Sequence, residues 1–209
     1  MRVLDAIEKR RAIAQFDPSF ELTDEAMVQL MKPVCLTPSS FNLQHWRFVA
    51  IRNLETKKLL RQASFNQRQV EECAAVIVVT ADTQVHEHAK DGWKNLDGEV
   101  AERLDNLVRE LYADNPQLQR DEAIRSGSLA AMTMMLIATE MGLDTSPMIG
   151  FDPQSVAGIA QVPDDYVIVM LVCVGKALAD PRPSMGRFEV AEVVRLESFD
   201  GDGLGDSNE

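Results

Sequence analysis

"TPSSFNLQHWRFVAI", residues 37–51, joins two kinds of sequence with no glycine between them. Its first part is small and polar, with hydroxyls at Ser39 and Ser40 and amides at Asn42 and Gln44. Its second part, from Trp46 to Ile51, is aromatic and β-branched, as a strand is. A plain connection needs only turn chemistry and usually takes a Gly for it. A run of donors and acceptors mounted on a strand is instead the composition of a binding loop on a rigid support. The simpler alternative is a helix-to-strand connection that places Trp46 in the core.

Working outward, Val3, Leu4 and Ile7 recur at helical spacing and predict a short amphipathic helix over 2–11 that ends in "EKRR". Thr23 is a predicted N-cap, followed by Asp24 and Glu25 and a helix that stops near Pro33. Beyond the opening stretch, Asn53 caps a helix over "NLETKKLLRQA", and "NQRQVEEC" (66–73) predicts another. "AAVIVVTA" (74–81) is apolar without a break, as a strand covered on both faces is. Residues 82–122 are charged, with Trp93, Leu96, Val100, Leu104 and Leu107 near helical spacing, and predict a helical excursion over the core. "GSLAAMTMMLIATEMGL" (127–143) is apolar around most of its circumference and predicts a central buried helix with Gly142 as its stop. "DTSPMIGFDP" (144–153) reads as a loop and "YVIVMLVCVGK" (166–176) as a second buried strand. The expected product is one α+β domain over 1–199, with a flexible tail at 200–209.

Composition narrows the partners. Lys plus Arg number 21 against 33 Asp plus Glu, a net charge of −12 that repels nucleic acid and anionic membrane surfaces. A bound anion therefore needs a local cluster of cations. Cys35, Cys73 and Cys173 lie far apart, without C-x-x-C spacing, and predict neither a metal site nor a disulfide framework. That usage, and an N-terminal stretch without an apolar signal region, predict a cytoplasmic protein. The apolar runs are too short to span a bilayer. "HEH" (86–88) reads as a solvated turn, and His45 has no visible nucleophile to serve. "GDGLG" (201–205) follows no strand and opens no helix, so it is not a dinucleotide fingerprint.

"KRR" (9–11) has two readings. Cations at a helix C-terminus complement its dipole; alternatively Arg10 and Arg11, joined by Arg187, offer fork-shaped donors to a phosphate. Asn66 and Gln69 form a second amide cluster, three residues apart and able to share a helical face.

Five stretches, in this order, resemble the nitroreductase family of FMN-dependent NAD(P)H oxidoreductases: "KRRAIAQFD", "TPSSFNLQHWRFVAI", "FNQRQVEECAAVIVV", "MGLDTSPMIGFD" and "VGKALADPRPSMGRFEV". Together they span about residues 4–195. The resemblance implies a mostly antiparallel central sheet flanked by helices, and an intertwined homodimer with FMN at the subunit interface. It places Arg10, Arg11, the Ala12 backbone and Arg187 at the phosphate. It places Pro38, Ser39, Ser40 and Asn42 at the flavin of the partner, Asn66 and Gln69 at the ring's polar edge, and Ile149 and Gly150 along its N5 side. Ala12, Ala14 and Ile149 depart from residues common in the family. The implied reaction is ping-pong hydride transfer through flavin N5, from NADH or NADPH to a quinone or nitroaromatic, with no dedicated acid or base. The alternative is an FMN storage or sensor protein without significant turnover.

Overall fold

The computed structural model describes residues 2–205. Strands β1 (Trp46–Ile51), β2 (Ala75–Asp82), β3 (Asp144–Met148) and β4 (Tyr166–Gly175) form one sheet in the order β1-β2-β4-β3. All three pairings are antiparallel. A single parallel bridge from Ala12 to Thr145 lays the segment after α1 (Val3–Lys9) along the outer edge of β3.

The continuous apolar runs have a direct cause. Side chains alternate across a strand, and both faces of this sheet are covered. Ala75, Ile77, Val79, Val172 and Val174 enter a core shared with α2 (Asp24–Val34) and α6 (Pro116–Glu140). Val76, Val78, Leu171 and Cys173 enter the opposite core, with Leu60 of α3 (Leu54–Ala63), Val70 of α4 (Gln69–Glu72) and Val156 of α7 (Pro153–Ala160). A third, smaller core joins Leu43 to Val85, Ala89, Trp93, Val108 and Tyr112, beneath α5 (Gly98–Tyr112).

Local signals placed several helix starts. Thr23 Oγ1 accepts from the Ala26 N–H and Asn53 Oδ1 from that of Thr56, satisfying orphan donors of α2 and α3. Other segments differ from their sequence expectation. Residues 144–148, whose Asp, Ser and Pro predict a loop, form β3; its Pro147 is tolerated because β3 is an edge strand. The long helix begins at Pro116, so the excursion ends eleven residues before the apolar run at 127. Between β2 and α5, residues Val85–Gly92 form a 3-10 segment that buries His86 to 6% exposure and stacks it on Tyr112 at 5.5 Å. Of "HEH", His86 therefore leaves the solvated turn expected of it, while Glu87 and His88 stay exposed. Near the C-terminus, after α8 (Val190–Val193), the Leu196 N–H donates to Asp202 O and the Leu204 N–H to Val194 O, each at 2.9 Å. Residues 206–209 of the expected tail lie outside the described residues.

Helix α6 lies against the sheet through small residues: Gly127, Ala130, Ala131 and Ala138 are all buried. A Cβ on Gly127 would meet Val169 Cγ2 at 2.6 Å. Gly127→Leu is expected to cost about 1–3 kcal/mol, because the helix must lift or β4 must shift. Urea unfolding measures it, and an unchanged midpoint would contradict the close approach.

Candidate functional site

Two cavities matter, at opposite edges of the sheet. The first, about 590 Å³, lies beside β3 and is lined by Ala12, Ile13, Gln67, Gln69, Met148 and Gly150, with Ile149, Arg68 and Arg182 at its margins. Ala12 is held there by the Thr145 bridge, with the Ile13 N–H donating to Thr145 O at 3.0 Å. Arg10 is the C-cap of α1, directly before this segment. Arg11 Nη2 donates to the carbonyl of Arg182 at 2.6 Å, which ties the C-terminal segment to the same rim.

The floor of this cavity is an amide relay. Gln67 Nε2 donates to the Gly150 carbonyl at 2.8 Å, and Gln69 Nε2 donates to Gln67 Oε1 at 3.1 Å. The Gln69 amide also reaches Met148 Sδ at 3.7 Å. With its NH2 group so engaged, Gln69, which lines the cavity, has its Oε1 left to accept a hydrogen bond. A Cβ on Gly150 would press on Gln67 Nε2 at 3.0 Å, so glycine suits the close approach.

The second cavity, about 720 Å³, lies before β1 and is lined by Asn42, Gln44, Arg47, His88, Trp93 and Lys94, among others. Its wall is the opening loop of the sequence. Ser40, Phe41 and Asn42 form a 3-10 turn, and Phe41, Asn42 and Gln44 all take left-handed backbone conformations with φ near 50°. His88 Nε2 meets the buried carboxylate of Asp82 at 3.0 Å, fixing the excursion to the end of β2.

The predicted site residues therefore divide. Ala12, Gln69, Ile149 and Gly150 line the β3 cavity, with Arg10 and Arg11 on the segment leading to it. Pro38, Ser39, Ser40 and Asn42 stand at the other edge, three strands away, with Asn42 in the second cavity. Arg187 is exposed, bonded to the carbonyl of Gly186, and lines neither cavity. Asn66 and Gln69 do not share a helical face: Asn66 is left-handed, with φ 59°, and α4 begins at Gln69. Gln67 and Arg182 went unremarked in the sequence, since a glutamine between Asn66 and Arg68 and an arginine between prolines carry no local pattern.

The β3 cavity has the donor set of a flavin mononucleotide site. Arg68 and Arg182 are among its lining residues and can serve a phosphate, the Gln69 carbonyl oxygen is an amide acceptor for the polar edge of a planar ring, and a glycine permits close backbone approach. A model of the nitroreductase family matches residues 7–176. The chain belongs to the nitroreductase family. Protein DrgA of Synechocystis sp. is 40% identical over 183 residues, covering 86% of each chain. A protein named as the NAD(P)H nitroreductase MhqN of Bacillus subtilis is 36% identical, covering 90% of this chain and 95% of its own. A nitroreductase structure from Exiguobacterium sibiricum in complex with FMN superposes with a TM-score of 0.87 at 29% identity, covering 94% of this chain and 98% of that one. The family read from the five motifs and its α+β, antiparallel sheet are both borne out. Among the described residues, no helix of the chain is long and apolar enough to cross a membrane.

Proposed function

We propose that this nitroreductase is an FMN-dependent NAD(P)H oxidoreductase that reduces quinones or nitroaromatic compounds, with each flavin site completed between two copies of the chain. The observation that carries this reading is the division of the site. One chain holds a phosphate-and-amide half beside β3 and a hydroxyl-and-amide half before β1, at opposite sheet edges. A sheet of this width separates its outer strands by roughly 14 Å, so the two halves meet only when a second copy supplies one of them. The helices that would carry the contact expose apolar side chains: Val3, Leu4 and Ile7 on α1, Val28 on α2, and Leu129 and Met132 on α6.

In this reading Arg10, Arg11 and the Ala12 backbone bind the phosphate, and Arg187 of the partner copy joins them. Gln69 and Asn66 orient the ring's polar edge, with Gln67 locking the Gln69 amide. Ile149 and Gly150 border the N5 side, where Ile149 is 81% exposed and stands at the mouth. Pro38, Ser39, Ser40 and Asn42 close the site from the partner. FMN and a nicotinamide dinucleotide are the cofactors, and bound flavin supplies a ring that accepts a hydride and gives up two electrons. The residues lining the β3 cavity hold no side chain that titrates near neutrality, so the protons of the oxidative half come from solvent or substrate.

The test is a visible absorption spectrum of the purified protein, before and after anaerobic NADH or NADPH. A flavin band that bleaches with either donor and returns on adding a quinone or nitroaromatic is the expected result. A bound flavin that neither donor reduces would leave a storage or sensing role, and no flavin even after incubation with FMN would end the proposal.

A further inference from the structure

We propose that Trp93 and Tyr112, two buried aromatics of the excursion, are positioning residues that hold the loop 39–44 in its flavin-contacting shape; this rests on the flavin reading above. Three of its six residues, Phe41, Asn42 and Gln44, have φ of 50°, 54° and 53° without being glycine. Such a conformation persists only where surroundings over-determine it. Here the surroundings are the excursion. Trp93 Nε1–H donates to the Phe41 carbonyl at 2.8 Å, and the Tyr112 hydroxyl donates to Ser40 Oγ at 3.1 Å. Gln44 Nε2 reaches the Gly92 carbonyl at 3.4 Å, while the Gln44 N–H donates to Ser39 Oγ at 2.9 Å within the loop.

Packing repeats the assignment. Leu43, 3% exposed, is the loop's contribution to the small core of Val85, Ala89, Trp93, Val108 and Tyr112. That core belongs to neither main hydrophobic cluster, so the loop's apolar packing comes from the excursion, and the sheet adds one bond, from Arg47 Nη1 to the Gln44 carbonyl at 3.0 Å. Gly92 fits the same picture: a Cβ there would meet Gln44 Nε2 at 3.3 Å and the Asn42 carbonyl at 3.4 Å. The excursion therefore does more than border a substrate space. It sets the geometry of Ser39, Ser40 and Asn42, which the sequence motif alone leaves strained and unsupported.

The experiment uses the full chain and three variants: Trp93→Phe and Tyr112→Phe, which keep the ring and remove the donor, and Leu30→Ala, which loosens the core under α2, a different cluster from the one that holds the loop. Hydrogen exchange is followed at the Leu43 and Gln44 amides, and FMN affinity by flavin fluorescence with the apoprotein. Loss of one neutral hydrogen bond predicts faster exchange at those two amides and FMN affinity lower by about three- to tenfold in Trp93→Phe and Tyr112→Phe. Leu30→Ala is expected to lower the melting temperature while leaving loop exchange and FMN affinity near wild type. Equal effects from all three variants, or unchanged loop exchange in both donor-less variants while wild type binds FMN, would overturn the positioning role alone. A wild-type chain that binds no FMN would instead sink the functional reading on which the proposal rests.

Discussion

Arg10→Ala combined with Arg11→Ala is expected to weaken FMN binding by about 100-fold or more. Each guanidinium offers charge-assisted hydrogen bonds, worth about 1.5–3 kcal/mol apiece, and two such losses correspond to at least two factors of ten in affinity. The effect is large here because the chain has a net charge of −12. Its overall field repels a phosphate, so attraction falls to the few cations beside the cavity. Arg11 is already oriented by its bond to the Arg182 carbonyl, which fixes the fork rather than leaving it to sample solvent. Arg11→Lys keeps the charge and loses the fork, and an intermediate affinity is expected from it. Equilibrium titration of the apoprotein with FMN measures all three proteins. An exposed arginine on α6, Arg120, serves as the control for a change in net charge alone. Unchanged affinity in the double variant would remove the phosphate from this end of the site.

Acidification is expected to destabilise the protein through His45, by about 3 kcal/mol between pH 7 and pH 4. His45 is 1% exposed, and neither ring nitrogen has a hydrogen-bond partner. Burial pushes its pKa from the ordinary 6.5 down to about 4; Glu122 and Asp82 pull it upward, and His86 and Arg47 add to the depression. Above pH 6.5 the imidazole is neutral both folded and unfolded, and it takes nothing from stability. Below 6.5 the unfolded chain binds the proton first, so stability falls progressively until the folded ring also titrates near 4. The gap between the two values corresponds to the 3 kcal/mol. His86, depressed chiefly by its own burial, acts in the same direction. Urea unfolding at pH 7 and at pH 4.5 checks the slope, and His45→Phe is expected to flatten much of it. A variant that keeps the wild-type slope would place the pH dependence elsewhere.

Much of the scaffold is legible in the chain because its causes are local. Thr23 and Asn53 cap their helices with their own oxygens, and a cap is a property of four adjacent residues. The runs at 74–81 and 166–176 announce covered strands because both faces need apolar residues, whatever the neighbours are. Gly142 ends the long helix in the left-handed conformation that glycine adopts freely, at φ 69°. The five family motifs likewise keep their order along the chain, and they carried the family.

Other features depend on contacts that sequence distance conceals. "DTSPM" has the composition of a loop and becomes β3 because β4 offers it a ladder on one side and its Pro147 lies at a sheet edge. His86 sits in a polar tripeptide, yet stacks under Tyr112, a residue 26 positions later, within a core that the periodicity of 82–122 only hints at. The amides at 66–69 suggest a shared helical face, whereas the backbone turns left-handed at Asn66 and brings Gln67 to Gly150 across 83 residues.

The sequence by itself determined the covered strands, the capped helices, the acidic charge that demands local cations and the polar character of the loop at 37–45. Tertiary structure alone decided where those pieces stand. Strand order β1-β2-β4-β3 sends the loop to one edge and the phosphate-and-amide cavity to the other. The physical reason is that strand order is set by how two hydrophobic faces are covered at once, a non-local packing problem, while a motif records only the residues that a site requires.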